Sequence, residues 1–275
     1  MTNISASIVL YKTGQDARRT IVDFLDTKLS VHLYLLDNSP TTHLKNELAD
    51  LIADKRIIYL YNNKNLGYGA GHNVAIKQIL DSADYHLVLN PDVSFEKGTL
   101  EKLVDFGEKN IDIGLLTPKV LYPDGSVQYV CKLLPTPFDL IFRRFLPASF
   151  TRKRMEKFEL RQLNYNKLFQ APYIHGCFMF LRTEALKKVG LFDERFFMYP
   201  EDIDLTRRIH QHYKTVFYPE VVIVHAHAKA SYKSLKLLWI HIVNMIKYFN
   251  KWGWIFDRER SRINKKILHQ FDREQ

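Results

Sequence analysis

The segment LVLNPDV sets Asn90 and Asp92 just past an apolar run, where a carboxylate can face a cleft instead of a core. A hard oxygen ligand at the end of a buried strand suits a divalent cation such as Mg2+ or Mn2+. N-P-D is also a good turn by itself, through Asx hydrogen bonding and the fixed φ of proline. A second carboxylate group lies in FFMYPEDIDLTRR, where Glu201, Asp202 and Asp204 open a helix and Arg207 and Arg208 follow one turn on. Acids at a helix start complement the dipole, and Asp204 with Arg208 is an i,i+4 pair, so a plain helix cap accounts for part of the pattern. It does not account for the aromatic and apolar run leading straight into three carboxylates. Partial desolvation of that kind raises a carboxylate toward the basicity a general base requires. His225 ends the run EVVIVH with His227 close behind, and either could be a ligand or a structural histidine. NKNLGYGAGHN brings Gly67, Gly69 and Gly71 between a strand and a helix, which implies close backbone approach to a ligand near a helix start. The glycines come too close together for a dinucleotide fingerprint, and no P-loop lysine motif appears.

The elements that must position these groups can be read from the apolar runs. Strands are expected at 5–10, 31–37, 56–62, 85–90 and 113–118, with helix-like segments between them, the first over 14–29. This alternation implies an α/β fold with a mostly parallel sheet, right-handed crossovers and ligands at the carboxyl ends of the strands. VLYPDGSVQYV reads as a hairpin around an Asp-Gly turn. Residues 135–170, with Pro135, Pro137 and Pro147 and the cations Arg143, Arg144, Arg152, Lys153, Arg154, Lys157 and Arg161, show no clear strand and read as a mobile excursion with helical pieces. The core resumes at YIHGCFMFL, with a helix from Thr183 and a last strand ending at the histidines. Two units are expected. Residues 1–230 form the main domain, divided into halves 1–118 and 119–230, and residues 231–275 form a basic, aromatic helical tail.

Composition narrows the function. The 275 residues, 46% hydrophobic, suffice for a full core and exclude global disorder. Two cysteines, Cys131 and Cys177, form neither a C-x-x-C pair nor a disulfide framework, which suits a reducing compartment. No secretory signal and no stretch of ~18 apolar residues is visible, so a cytoplasmic location is expected. The net charge of +10 is regional. Residues 1–130 carry 13 Lys and Arg against 16 Asp and Glu, whereas 131–275 carry 27 against 14. Such asymmetry points to an anionic surface, nucleic acid or acidic lipid. No zinc finger, RRM or helix-turn-helix signature accompanies it, so lipid is favoured over nucleic acid. In the tail, Leu235, Leu238, Trp239, Ile242 and Ile246 recur at helical spacing and are expected to dock on the domain. Lys233, Lys236, Lys247 and Lys251, with Tyr248, Phe249, Trp252 and Trp254 and then Arg258, Arg260, Arg262, Lys265 and Lys266, are expected at a membrane headgroup boundary, on the inner face of the cell membrane.

Taken in order, the segments resemble family 2 glycosyltransferases, and within them the bacterial branch that includes rhamnosyltransferases of surface polysaccharide assembly. The resemblance runs from residue 5 to about residue 262. It implies a GT-A type fold. SIVLYKTG looks like the first strand, placing Tyr11 on the nucleotide base, and LLDNSP looks like the next base-binding segment, with Asp37 accepting from a pyrimidine imide. NKNLGYGAGHNVAI is similar to a nucleotide-binding segment in which Asn65, Gly67, Gly71 and Asn73 make contacts. LNPDV occupies the place of an Asp-x-Asp motif and departs from it, since Asn90 replaces the first aspartate and leaves Asp92 as metal ligand. GCFMFLRTEAL, with Gly176, resembles the segment under the sugar and acceptor. FDERFFMYPEDIDLTRR resembles the Glu-Asp motif, which implies Asp202 as base, Glu201 as neighbouring site residue and Arg208 as a structural or phosphate-side partner. VVIVHAHAKASYKS favours His225 over His227 as second metal ligand. The implied activity is inverting transfer from a dTDP- or UDP-linked sugar to a glycan or lipid-linked acceptor. The competing expectation is a basic membrane- or nucleic-acid-binding module without catalysis.

Overall fold

A computed structural model describes residues 2–141, 146–226 and 235–270. Arg143, Arg144, His227 and Lys233 lie outside the described residues, as do the side chains of Leu235 and Lys236. The strands are β1 (Asn3–Leu10), β2 (Ser30–Asp37), β3 (Ile57–Tyr61), β4 (Tyr85–Leu89), β5 (Val93–Phe95), β6 (Ile113–Leu121), β7 (Cys131–Lys132), β8 (Phe169–Gln170), β9 (Tyr173–Ile174), β10 (Phe178–Arg182) and β11 (Lys214–His225). The helices are α1 (Gln15–Leu25), α2 (His43–Glu47), α3 (Ala49–Ile52), α4 (Tyr68–Ile79), α5 (Thr99–Lys109), α6 (Pro137–Leu140), α7 (Ala148–Phe158), α8 (Thr183–Val189), α9 (Glu201–His210), α10 (Leu235–Trp252) and α11 (Arg258–His269).

The main sheet runs β3-β2-β1-β4-β10-β6-β11-β5, with β8 also on β11. The predicted parallel arrangement describes the block β3-β2-β1-β4 and the pair β6-β11. β10 enters antiparallel between β4 and β6, and β5 is antiparallel to β11, so the second half is mixed. This insertion decides the function of the sheet, because it brings the turn before β10 beside the carboxyl end of β4. Two serines inside buried β1 look out of place until their partners are named. Ser5 Oγ lies 2.7 Å from His86 Nδ1, and Ser7 Oγ lies 2.7 Å from His72 Nδ1 and 2.8 Å from His86 Nε2. Burial holds both imidazoles neutral, His86 down to about 3, so this polar chain crosses the core without a buried charge.

The predicted hairpin is present, with Tyr122 N donating to Ser126 O and Gly125 at φ 82. In their described parts, residues 135–170 match expectation in having helical pieces and differ from it in holding a strand. They hold α6, α7 and a short strand, β8, and Tyr165 packs edge-on to Phe169, Phe217 and Tyr129, so aromatic contact, not loop composition, decides their structure.

The tail also packs differently. Trp239 and Ile246, expected to dock, are 67% and 40% exposed, while the face carrying Asn244, Met245, Tyr248 and Phe249 is buried. Nearly the whole circumference of α10 is apolar, so periodicity does not select a face, and polar anchors do. Asn244 Nδ2 donates to Met198 O, Lys247 Nζ to Arg195 O, and Lys251 Nζ pairs with Asp193 and Asp204. Arg207, 1% exposed, takes Asp257 on both nitrogens at 2.7 and 2.9 Å and stacks 4.0 Å over the Trp252 ring. Met245, Tyr248, Phe249, Ile263 and Ile267 join the same core as the sheet, so residue 230 marks a change in composition and not the edge of a core.

Candidate active site

The carboxyl ends of β4 and β11, the turn before β10 and the first turn of α9 converge on a cavity of about 390 Å3. Six residues singled out in the sequence line it together: Asn90, Asp92, Gly176, Glu201, Asp202 and His225. α10 closes one side with His241 and Met245.

Asp202 is 5% exposed. Its Oδ2 accepts from Gly176 N at 2.9 Å and its Oδ1 from Ile203 N at 2.7 Å. Burial raises this carboxyl and those amides, with the Lys132 ammonium, pull it back, leaving it pushed up to about 7. Glu201 beside it is 3% exposed, and its Oε2 has no hydrogen-bond partner among the described residues. Burial and then the Asp202 charge hold the Glu201 carboxyl well above its usual range. The two acids are therefore divided by their surroundings. Glu201 keeps a proton, and Asp202, with two amides facing it, is the one equipped to carry negative charge and accept a proton near neutral pH.

At the other wall, His225 Nε2 lies 3.2 Å from Asp92 Oδ1 and 3.2 Å from Asn90 Nδ2. Gln128 fixes the ring. Its Nε2 donates to the His225 carbonyl at 2.9 Å, which leaves Oε1 to accept from Nδ1 at 2.8 Å. Nδ1 thus carries a proton, and Nε2 faces a carboxylate oxygen, an arrangement that calls for positive charge. Burial opposes that charge, but Cys177 and Asp92 outweigh it and push the imidazole up to about 10. One imidazole nitrogen and one carboxylate oxygen at this spacing fit a divalent cation, which would displace the proton. Among the described residues no group of at least three His, Cys, Asp or Glu could hold a metal.

The residues expected to hold a nucleotide sit at the ends of β1 and β2 and the start of α4. Tyr11 is 45% exposed, with the Lys12 ammonium 5.2 Å from its ring centroid. Asp37 is wholly buried, accepting from the Tyr59 hydroxyl and from Ser39 N, so any imide would have to use a remaining lone pair. Asn65 Oδ1 accepts from Gly67 N at 2.9 Å and lies 3.4 Å from Asn38 Nδ2. The glycines approach protein. Gly67 has φ 88, and a Cβ there would lie 2.3 Å from Phe197 O; at Gly71 it would meet Val9 at 2.8 Å. Asn73 spends its amide on Phe192 and Glu194. Gly67 and Asn73 thus lock α4 against residues 192–197, the approach to the Glu-Asp segment, and Gly71 brings it close onto Val9 of β1. Arg208 is structural, bonding Asp204 and the carbonyls of Val189, Gly190 and Leu191.

Sequence reading passed over four residues. Gln128 orients His225, and nothing in its hairpin position signals that. The Tyr68 hydroxyl lies 2.6 Å from Gly176 O and 3.1 Å from Asn90 Oδ1, tying both sides of the cavity together; it sits inside the glycine segment, where the glycines draw the eye. Tyr199, at φ 92 in the region that favours glycine, lines the cavity, as does Lys132.

A model of glycosyl transferase family 2 matches residues 5–190. The chain is 28% identical over 240 residues to the N-acetylglucosaminyl-diphospho-decaprenol L-rhamnosyltransferase of Mycobacterium tuberculosis, covering 81% of this chain and 76% of that one. It is 26% identical over 217 residues to the rhamnosyltransferase WbbL of Escherichia coli, covering 74% and 77%. Among solved structures it superposes on GalNAc-T7 with UDP, GalNAc and Mn2+ at a TM-score of 0.61 and 16% identity, over 82% of this chain but only 44% of that one. The mannosyltransferase PcManGT of Pyrobaculum calidifontis with GDP-Man and Mn2+ gives 0.59 and 14%, over 89% and 64%. At these identities the structures establish the fold, which is GT-A.

Proposed function

This chain belongs to glycosyl transferase family 2, and from that premise we propose that it moves a sugar, rhamnose, from a dTDP- or UDP-linked donor to a hydroxyl of a glycan or lipid-linked acceptor in surface polysaccharide synthesis. The observation that carries the reading is the convergence of Asp202, Asp92 and His225 on one cavity. Asp202 takes the proton from the acceptor hydroxyl as that oxygen attacks the anomeric carbon, and the bond to the nucleoside diphosphate breaks with inversion. Asp92 and His225 would hold a divalent ion, Mg2+ or Mn2+, whose charge offsets that of the leaving diphosphate. Glu201, protonated, and Asn90 face the sugar or the acceptor. Two of the relatives are named as rhamnosyltransferases, and one carries a diphospho-decaprenol acceptor in its name, which supports the sugar and the lipid-linked acceptor. A lipid-linked acceptor favours peripheral attachment at the inner face of the cell membrane, and no helix among the described residues is long and apolar enough to cross it.

The test is a panel of nucleotide sugars with Mn2+, scored for hydrolysis and for transfer. Release of a nucleoside diphosphate from none of them would sink the reading. Salt-sensitive retention of oligonucleotides without any nucleotide effect would favour a binding module instead. Two further results are expected. Asp92→Ala and His225→Ala should each weaken Mn2+-dependent binding of the nucleoside diphosphate roughly 10- to 100-fold in calorimetry, and Gln128→Leu should do so by a smaller factor through the freed ring. An unchanged Mn2+ requirement in both ligand variants would move the cation elsewhere. The transfer rate should also fall as pH drops through about 7, because the base must be ionised and burial has raised Asp202 to that value. A rate flat from pH 5 to pH 8, on the order of a thousandfold range in protons, would exclude Asp202 as the titrating group.

A further inference from the structure

The link between α10 and α11 is Gly253-Trp254-Ile255-Phe256-Asp257, in which three bulky apolar residues follow one another in the open. Trp254 is 37% exposed, Ile255 77% and Phe256 94%. Ordinary surfaces do not hold such a group at a loop tip unless something meets it. The backbone beneath is fixed. Gly253 takes φ 98, and the guanidinium of Arg260, 5% exposed, donates to the carbonyls of Gly253, Trp254 and Ile255 at 3.5, 3.2 and 3.1 Å. Asp257 caps α11 through Arg260 N at 2.8 Å, and the Trp254 indole donates to Asn250 at 2.8 Å. The carbonyls turn inward, the Trp254 ring rests 5.4 Å from that of Phe249, and Ile255 and Phe256 turn outward.

That arrangement removes the usual obstacle to entering an apolar medium, since the carbonyls of residues 253–255 already have donors and need no water. The helix that follows supplies the charge. α11 buries Ile263 and Ile267, and on the opposite face leaves Arg258, Arg262, Lys265 and Lys266 exposed. None of these four forms an ion pair among the described residues, and Glu259, which lines one cavity with Arg262 and Lys266, spends its carboxylate on Arg207 and Gln211. Met245 of α10 lines the active-site cavity, and the loop begins eight residues later, on the order of 12 Å further along the helix axis.

We propose that Trp254, Ile255 and Phe256 form a preorganised wedge that inserts into the headgroup boundary of an anionic lipid bilayer, with the outer face of α11 lying on the phosphates. The proposal rests on the reading of peripheral membrane attachment and is independent of the transfer chemistry. A flat apolar patch would suit a protein partner better; a protruding tip beside four exposed cations suits acidic lipid.

The full chain is sedimented with phosphatidylcholine vesicles with and without phosphatidylglycerol. The wild type should pellet with the anionic vesicles in a salt-sensitive manner. Ile255→Ser with Phe256→Ser, and separately Arg258→Glu with Arg262→Glu, should each lower that affinity roughly tenfold or more while leaving donor hydrolysis and the unfolding midpoint unchanged. Cys131 and Cys177 are both buried, so an environment-sensitive fluorophore placed on Ile255→Cys reports the loop alone, and its emission should shift to the blue on anionic vesicles. Wild-type affinity in both paired variants, or an unshifted label on bound vesicles, overturns the wedge while sparing peripheral attachment. Failure of the wild type to bind either vesicle overturns both, and retention by oligonucleotides without vesicle binding assigns the cationic face to nucleic acid.

Discussion

Asp202→Asn is expected to lower the transfer rate by roughly 10²- to 10⁴-fold, the usual contribution of a general base, with donor binding nearly unchanged. The substitution preserves shape and removes the charge. It also converts one of two acceptors into a donor. Gly176 N and Ile203 N both donate to the native carboxylate, so the amide loses one of these bonds, a loss of about 1 kcal/mol. Removing a buried charge beside Glu201 offsets part of that, and the protein should fold. Glu201→Gln is the comparison. A glutamine resembles the protonated acid that burial already enforces at this position, so its effect should be at least tenfold smaller than that of Asp202→Asn. Steady-state rates on a saturating donor decide between them. A Glu201 variant more damaged than the Asp202 variant would exchange their roles, and near-normal turnover in Asp202→Asn would remove it from the mechanism.

Much of the first half was legible because its signal is local. Strands buried on both faces must be apolar runs, and β1 to β4 appear within a residue or two of where the runs lie. The positions of Asn90, Asp92, Asp202 and His225 were legible for a related reason, since each ends or opens such an element. What periodicity does not carry is the partner across the fold. Ser7 reads as a flaw in a strand until His72 and His86 are placed beside it, and Asn73 reads as a ligand contact until Phe192 claims its amide. The tail shows the same limit most sharply. Cations interleaved with aromatic rings look alike whether the rings face lipid or the cations are stacked on them inside the protein. Tyr248 and Phe249 are fully buried and Lys251 is paired with two aspartates, so these residues, expected at a membrane, fasten α10 to the domain instead. Among the described residues, the loop after Trp252 keeps aromatic rings in the open beside the exposed cations of α11.

Asp257→Ala should therefore be among the most destabilising single changes in the chain, although it lies outside the region that matches the family model. Arg207 Nη1 and Nη2 both use Asp257, at 2.7 and 2.9 Å, in a site where the arginine is 1% exposed. Removing one member of a buried pair leaves the other charge without its partner, a penalty of about 3–5 kcal/mol. Loss of the α11 N-cap adds about 1 kcal/mol. Glu259 still reaches Arg207 Nη2 at 2.9 Å and Trp252 still covers its face, which argues for the lower end of the range. Together about 4 kcal/mol is lost, which corresponds to a fall of roughly 8–16 °C in the unfolding midpoint for a domain of this size. The activity should fall as well at temperatures where the protein is folded, because Arg207 sits on the helix whose first turn carries Glu201 and Asp202. Replacing both partners, Arg207→Met with Asp257→Leu, removes the stranded charge and should recover a large part of the stability. Calorimetric unfolding of the three proteins is the measurement. A midpoint for Asp257→Ala within about 2 °C of the wild type would show that the C-terminal helices are not coupled to α9 through this pair, and a double variant less stable than the single one would show that the loss is packing and not charge.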